Sequence, residues 1–408
     1  MKGNCIIAQS GGPTAVINAS VAGVIDEAKK HDAITGIFGA ENGILGILQE
    51  RIFDLAKEAP ATLAGLAATP SAALGSCRHK VRKTEEYEAI LSVFIKYNIR
   101  YFFYIGGNDS QDTADQVNRL AQREGYEMRI IGIPKTIDND LAHTDHSPGY
   151  GSVIKYLAAM VLEAGRDTEA LYTADTVNVI ETMGRNAGWI AAGTALAKRE
   201  EADAPHIIIL PENPFHEELF LNRLNHFLRT LGYAVIVVSE GAKTAFGHYL
   251  SEQKGSFAKD SFGHTQLGGA AFYIKELVEN KARVKARFAI PSTIQRNGMH
   301  FASLTDSREA YGSGQMAVLA ALDGISGKMV SLVRLAANPY ECGYDLVDLA
   351  LVANGEKLFP REWISPDGFF VTEDFLNYAR PLIQGQTAPL IADGLPHYAR
   401  LRKHWVTK

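Results

Sequence analysis

Two short apolar runs, each broken off by a polar loop, constrain this chain more than any other feature in it. Tyr101–Ile105 is aromatic-rich and ends at Gly106-Gly107-Asn108-Asp109-Ser110, after which a helical pattern begins near Gln111. Ile130–Ile133 is the second run, and Pro134-Lys135-Thr136-Ile137-Asp138-Asn139-Asp140 follows it. Both runs read as buried strands. Two parallel strands ending side by side bring both loops to one edge of a sheet, where α/β proteins bind ligands. Glycines in the first loop let backbone N–H groups approach an anion, and Ser110 is the expected helix N-cap. The second loop supplies a cation, carboxylates and an amide within seven residues. That is the equipment of phosphoryl transfer.

The same strand, turn and helix order recurs along the chain. Asn4–Ala8 reads as a strand, followed by Ser10-Gly11-Gly12-Pro13-Thr14 and a helix over Ala15–Lys29. This glycine turn either offers amides and a helix dipole to a phosphate or only makes a tight corner. Further strands are expected at Thr35–Ala40, Thr176–Ile180, His206–Leu210, Ala234–Val238 and Val284–Pro291. Helices are expected at Tyr87–Tyr97, Gly149–Ala164, Glu217–Leu231 and Ala270–Lys281, and from Glu181 through Lys198. Ser251–Gly269 reads as a loop; beyond Lys328 come a strand, a helix around Gly343–Asn354 and a proline-marked tail. Strands alternate with helices and no hairpin signal appears, which argues for a parallel α/β fold.

At 408 residues, 46% of them hydrophobic and 21% charged, the chain can bury a large core in two or three domains. A net charge of −5 gives no indication of nucleic-acid binding, and local lysines and arginines decide whether an anion binds. Cys5, Cys77 and Cys342 are unevenly spaced, form no metal pattern and suit a reducing compartment. The apolar run near the N-terminus is too short for a signal peptide, and no stretch approaches the length of a membrane span. The cytoplasm is the expected location.

Read in order, SGGPTAVINAS, LGSCR (Leu74–Arg78), GGNDS, PKTIDND, ETMGR (Glu181–Arg185), SEG (Ser239–Gly241) and IQR (Ile294–Arg296) form a series. The series resembles that of the phosphofructokinase family, whose ATP-using members have GGDGS and PGTIDND. Lysine in the second motif and an acidic residue fourth in the first mark the pyrophosphate-dependent branch. The resemblance implies two Rossmann-like α/β domains with mainly parallel sheets and an active site in the cleft between them. By this reading, residues 1–149 with 297–337 hold the phosphoryl donor. Residues 150–296 with 338–408, including a C-terminal extension, hold the sugar phosphate. The implied reaction is reversible, magnesium-dependent transfer from pyrophosphate to O1 of fructose 6-phosphate by a homodimer or homotetramer.

A phosphoryl acceptor needs a carboxylate to take its proton, and the resemblance gives Asp138 that role. Lys135 neutralises charge on the transferring group, as does Arg185. The implied donor site comprises Gly12, Arg78, Gly107, Asn108, Asp109, Ser110 and Lys135, while Lys80, Arg82 and Lys83 are left as surface. The implied sugar-phosphate site comprises Thr136, Asp138, Asp140, Met183, Gly184, Arg185, Glu240, Arg296 and, reaching into a neighbouring subunit, Arg287. Asp109 and Thr113 stand where ATP-using relatives have glycine, so they obstruct a nucleotide. Asn108 replaces an aspartate usual for the metal; Asp138, Asp140 or Asp109 can carry the magnesium ion instead, directly or through water, and Asp109 and Asp140 are the expected carboxylates. Three alternatives remain: ATP as donor, a broader range of sugar phosphates, and a non-catalytic subunit that binds sugar phosphates.

Overall fold

The computed structural model describes residues 1–254, 269–353 and 355–406. Among these residues, eleven strands make two sheets. They are β1 (Gly3–Gln9), β2 (Ile34–Ala40), β3 (Ile52–Asp54), β4 (Ile99–Gly106), β5 (Arg129–Pro134), β6 (Val177–Thr182), β7 (Ile207–Ile209), β8 (Ala234–Ser239), β9 (Ala286–Ala289), β10 (Lys328–Ala337) and β11 (Tyr340–Asp348). The larger sheet has the order β11-β10-β5-β4-β1-β2-β3, parallel except at its two edges, and the smaller is β7-β8-β6-β9, parallel throughout. A short antiparallel pair, Leu390–Ala392 with Leu395–His397, stands apart from both.

The aromatic run explains itself in β4. Phe102 and Tyr104 face a core built with Ile90 and Phe94 of helix Thr84–Lys96 and with Ala114 and Val117 of helix Asn108–Arg123. Tyr101, Phe103 and Ile105 face the opposite core, shared with helices Ile17–Ala28 and Leu304–Leu322. A strand covered on both faces has no side to leave polar, so it reads as a continuous apolar run. Full burial of each such ring stabilises the fold by roughly 1.5–3 kcal/mol relative to exposure. The helices Ile17–Ala28 and Leu304–Leu322 touch backbone to backbone. A Cβ on Gly23 would lie 2.0 Å from the Tyr311 carbonyl oxygen, and one on Gly314 would lie 2.2 Å from that of Ser20.

Two expectations about helices need correction. The helix expected around Gly343–Asn354 is mostly strand: β10 and β11 form an antiparallel hairpin, and only Leu349–Ala353 is helical. Residues 340–348 extend the larger sheet, while Tyr340 also packs, with Phe359, Phe375 and Leu382 further on, at the core that backs the smaller sheet. The helix expected from Glu181 begins only at Trp189, because Glu181 and Thr182 complete β6 and residues 183–188 form a loop. The stretch expected as a loop over Ser251–Gly269 lies mostly outside the described residues, although Leu250–Lys254 makes a short 3-10 helix. Among the described residues, no helix is long and apolar enough to cross a membrane.

Candidate active site

In the larger sheet the chain steps from β1 to β2 on one side and later to β4 on the other, so a crevice opens at the ends of β1 and β4. Loops from β1, β4 and β5 meet there. They line a cavity of about 430 Å³ with Gly12, Gly107, Asn108, Asp109, Ser110 and Lys135, together with Thr136 and Asp140. An adjoining cavity of about 250 Å³ joins Arg78, Asp138 and Asp140 to Met183, Arg185 and Glu240 from the ends of β6 and β8. Both sheets thus point their carboxyl ends at one cleft.

Cations gather where a multiply charged anion would sit. Lys135 is 4% exposed and donates from Nζ to the Gly12 carbonyl at 2.9 Å. A Cβ on Gly12 would lie 2.8 Å from Arg296 Nη1 and 4.0 Å from Arg78 Nη2, so glycine is what lets both guanidinium groups close in. Burial pulls the Lys135 ammonium down to about 8; Asp138 opposes this, while Arg296 and Arg78 add to it. An anion held among these groups relieves their mutual repulsion.

The carboxylates shift the other way. Burial pushes Asp138 up to about 7, the charges of Asp140 and Glu240 add to the shift, and Lys135 and Arg185 offset it. Asp140 is raised by burial as well, and its Oδ1 is a buried oxygen without a hydrogen-bond partner. Glu240 is raised to about 7 by burial although it accepts from the Gly184 N–H at 3.2 Å. A base near neutrality suits proton transfer at physiological pH. Thr136 shapes the loop by accepting from the Asp138 N–H at 3.1 Å, and Met183 N–H donates to Gln295 Oε1 at 3.1 Å.

Some placements differ from expectation. Ser110 is not the cap of helix Asn108–Arg123; Gly107 is, and Ser110 lies buried in the first turn. The helix starts early because Gly106 has no side chain: a Cβ there would meet Ser110 Oγ at 2.1 Å. Lys80, assigned to the surface, pairs with Asp109 at 2.8 Å. Arg287, expected to serve a neighbouring subunit, lies outside this chain's cleft on β9, exposed, with its guanidinium on Asp175. Sequence reasoning also missed Asn186 and Glu356, which line both cavities and bond to each other at 2.9 Å. Asn186 follows directly on Met183-Gly184-Arg185 and could have been found from it, whereas Glu356 sits in a stretch with no motif at all.

Comparison with known proteins agrees with this geometry. The family model described as Phosphofructokinase matches residues 4–320. The pyrophosphate–fructose 6-phosphate 1-phosphotransferase of Halomonas elongata is 44% identical over 99% of this chain and 97% of its own length. That of Xanthomonas campestris pv. campestris is 44% identical over 100% and 98%. The crystal structure of a pyrophosphate-dependent phosphofructokinase from Marinobacter aquaeolei superposes with a TM-score of 0.91 at 42% identity, covering 100% of this chain and 98% of that one. The fold is shared with the Marinobacter aquaeolei structure, and the chain belongs to the phosphofructokinase family.

Proposed function

We propose that this chain is a pyrophosphate-dependent phosphotransferase that phosphorylates O1 of fructose 6-phosphate. The 1-hydroxyl oxygen attacks the nearer phosphorus of pyrophosphate, the bond from that phosphorus to the bridging oxygen breaks, and inorganic phosphate leaves. Fructose 1,6-bisphosphate is the other product, and the same residues serve the reverse reaction.

Asp138 accepts the hydroxyl proton as the new P–O bond forms. Lys135 and Arg185 hold positive charge against the transferring group, and Arg78, beside Gly12, faces the donor. Glu240 accepts from a sugar hydroxyl, with Met183 and Gly184 shaping the wall behind it. Arg296 supplies a fork for phosphate, although in this chain it stands close to Gly12 and Arg78. Asp140, with its unpartnered Oδ1, and Asp109 across the cavity fit a hard divalent cation, which makes magnesium the expected cofactor. When bound, the ion supplies charge neutralisation to the diphosphate. Arg287 is assigned to a neighbouring subunit's site in a homodimer or homotetramer, and the reaction is placed in the cytoplasm.

The observation that carries the choice of donor is Lys135, buried at the meeting point of the β1, β4 and β5 loops, with the Asp109–Lys80 pair beside the same cavity. A lysine there serves a small, highly charged donor, and Asp109 puts a carboxylate where a nucleotide would continue. The test is product formation from fructose 6-phosphate and magnesium with pyrophosphate or ATP. Turnover with pyrophosphate alone is expected. Turnover with ATP alone would overturn the donor assignment, and no turnover with either donor would favour a non-catalytic sugar-phosphate binder.

A further inference from the structure

The loop that carries Asp138 and Asp140 is bent at the residue between them. Asn139 is fully buried with φ +53°, a left-handed conformation that asparagine tolerates better than other non-glycine residues and that its hydrogen bonds hold here. Two of its partners, Lys357 and Tyr378, lie far away in sequence. Asn139 Oδ1 accepts from the Ser147 N–H at 3.0 Å and from Lys357 Nζ at 3.3 Å, and its Nδ2 donates to Tyr378 Oη at 3.0 Å. Lys357 Nζ also donates to the carbonyls of Asp145 at 2.8 Å and Thr144 at 3.2 Å, while its backbone N–H donates to the Asp140 carbonyl at 2.7 Å. One residue therefore grips both ends of the loop.

Lys357 is itself held from both sides of the cleft. On the donor side, Asn108 Nδ2 donates to the Gly355 carbonyl at 2.6 Å. On the sugar side, Trp189 Nε1 donates to the Lys357 carbonyl at 3.0 Å and the Trp189 ring lies 5.0 Å from Lys357 Nζ. Phe359 N–H donates to Glu212, which also accepts from Gly188 N–H. These contacts come from a stretch that lies beyond the 4–320 span of the family match.

We infer that residues 355–359 form a strap across the cleft, in which Lys357 is a positioning residue that holds the Asn139 bend so that Asp138 and Asp140 both face the reacting phosphates. The inference rests on the role of Asp138 given above. It also gives Asn108 a purpose its amide can serve and an aspartate cannot, namely donating to a carbonyl of the strap.

The test is Lys357→Met in the full chain, which keeps the length of the side chain and removes its donors. A displaced catalytic loop costs rate more than affinity. The expected result is a fall in kcat of about 10²-fold with KM for fructose 6-phosphate within about threefold of wild type. Amide hydrogen exchange in residues 137–147 should accelerate while that of β4 stays unchanged. A kcat within about threefold of wild type, or unaltered loop exchange, would overturn the inference. If the methionine variant does not fold, Trp189→Phe withdraws the donor to the Lys357 carbonyl, and the same exchange signature with about a tenfold fall in kcat is expected; normal rate and exchange would count against the strap. Should the wild-type protein not turn over pyrophosphate, the exchange measurement still decides the strap, so failure of the reaction and failure of the strap are separable.

Discussion

Replacing Asp138 by asparagine keeps the shape of the side chain and removes its capacity to accept a proton. The expected effect is a drop in kcat of about 10²–10⁴-fold with KM for fructose 6-phosphate nearly constant, measured by coupled assay. A comparable rise in KM with kcat unchanged would make Asp138 a binding group. The motif PKTIDND makes this residue legible in the sequence, because carboxylate, cation and amide chemistry sit within one short loop. Lys357, Glu356 and Lys80 are not legible in the same way. Their significance arises from contacts such as Lys80–Asp109, 29 positions apart, and Lys357–Asn139, 218 positions apart, and no local spacing encodes such a meeting.

At the scale of helices and strands, the contact between helices Ile17–Ala28 and Leu304–Leu322 invites a direct test. Gly23→Ala puts a methyl group 2.0 Å from a backbone carbonyl, where no flexible side chain can move aside. The helices must separate, and stability should fall by about 1–3 kcal/mol in urea denaturation. An unchanged midpoint would mean that the helices do not approach so closely. Buried parallel strands are easy to read, since runs such as Tyr101–Ile105 admit no other role. The β10–β11 hairpin is not, because β11 lies at an edge and is half-exposed along most of its length, so the sequence there has neither a continuous apolar run nor a clean alternation. Its apolar residues near Leu346 to Val352 fit a helix equally well by spacing.

Across the whole molecule, the hairpin, the Asp138 loop and helix Leu304–Leu322 meet at a buried charge cluster. His146 is fully buried, with Nδ1 2.8 Å from Asp145 and Nε2 2.7 Å from Glu309; Tyr340 Oη donates to Glu309 at 2.6 Å, and Arg334 pairs with Asp145 at 3.0 Å. Burial alone would discharge the ring, but the Glu309 charge and hydrogen bonds to both carboxylates lift it to about 9. An unfolded histidine titrates near 6.5. The ring's contribution is therefore complete below about pH 6.5 and is lost as pH rises through about 9, a decline on the order of a few kcal/mol. Urea denaturation between pH 6 and 10 should show this slope in the wild type, with a flatter profile in His146→Gln; equal slopes would mean the ring is not charged in the folded state. The cleft itself is legible from loops at strand ends, but the tie across it is not, since it depends on how the chain returns.

That return has a consequence for synthesis on the ribosome. β5, whose outgoing loop carries Asp138, gains its outer neighbour only when β10 has been made, much later in the chain. At ordinary elongation rates the wait is about 10–40 s. Throughout it, the nascent chain presents an unpaired apolar strand edge, the kind of surface on which chains associate wrongly. A message cut short between the codons for Pro134 and Lys328 yields a product that keeps this edge bare, so such incomplete copies are natural clients for chaperones and proteases.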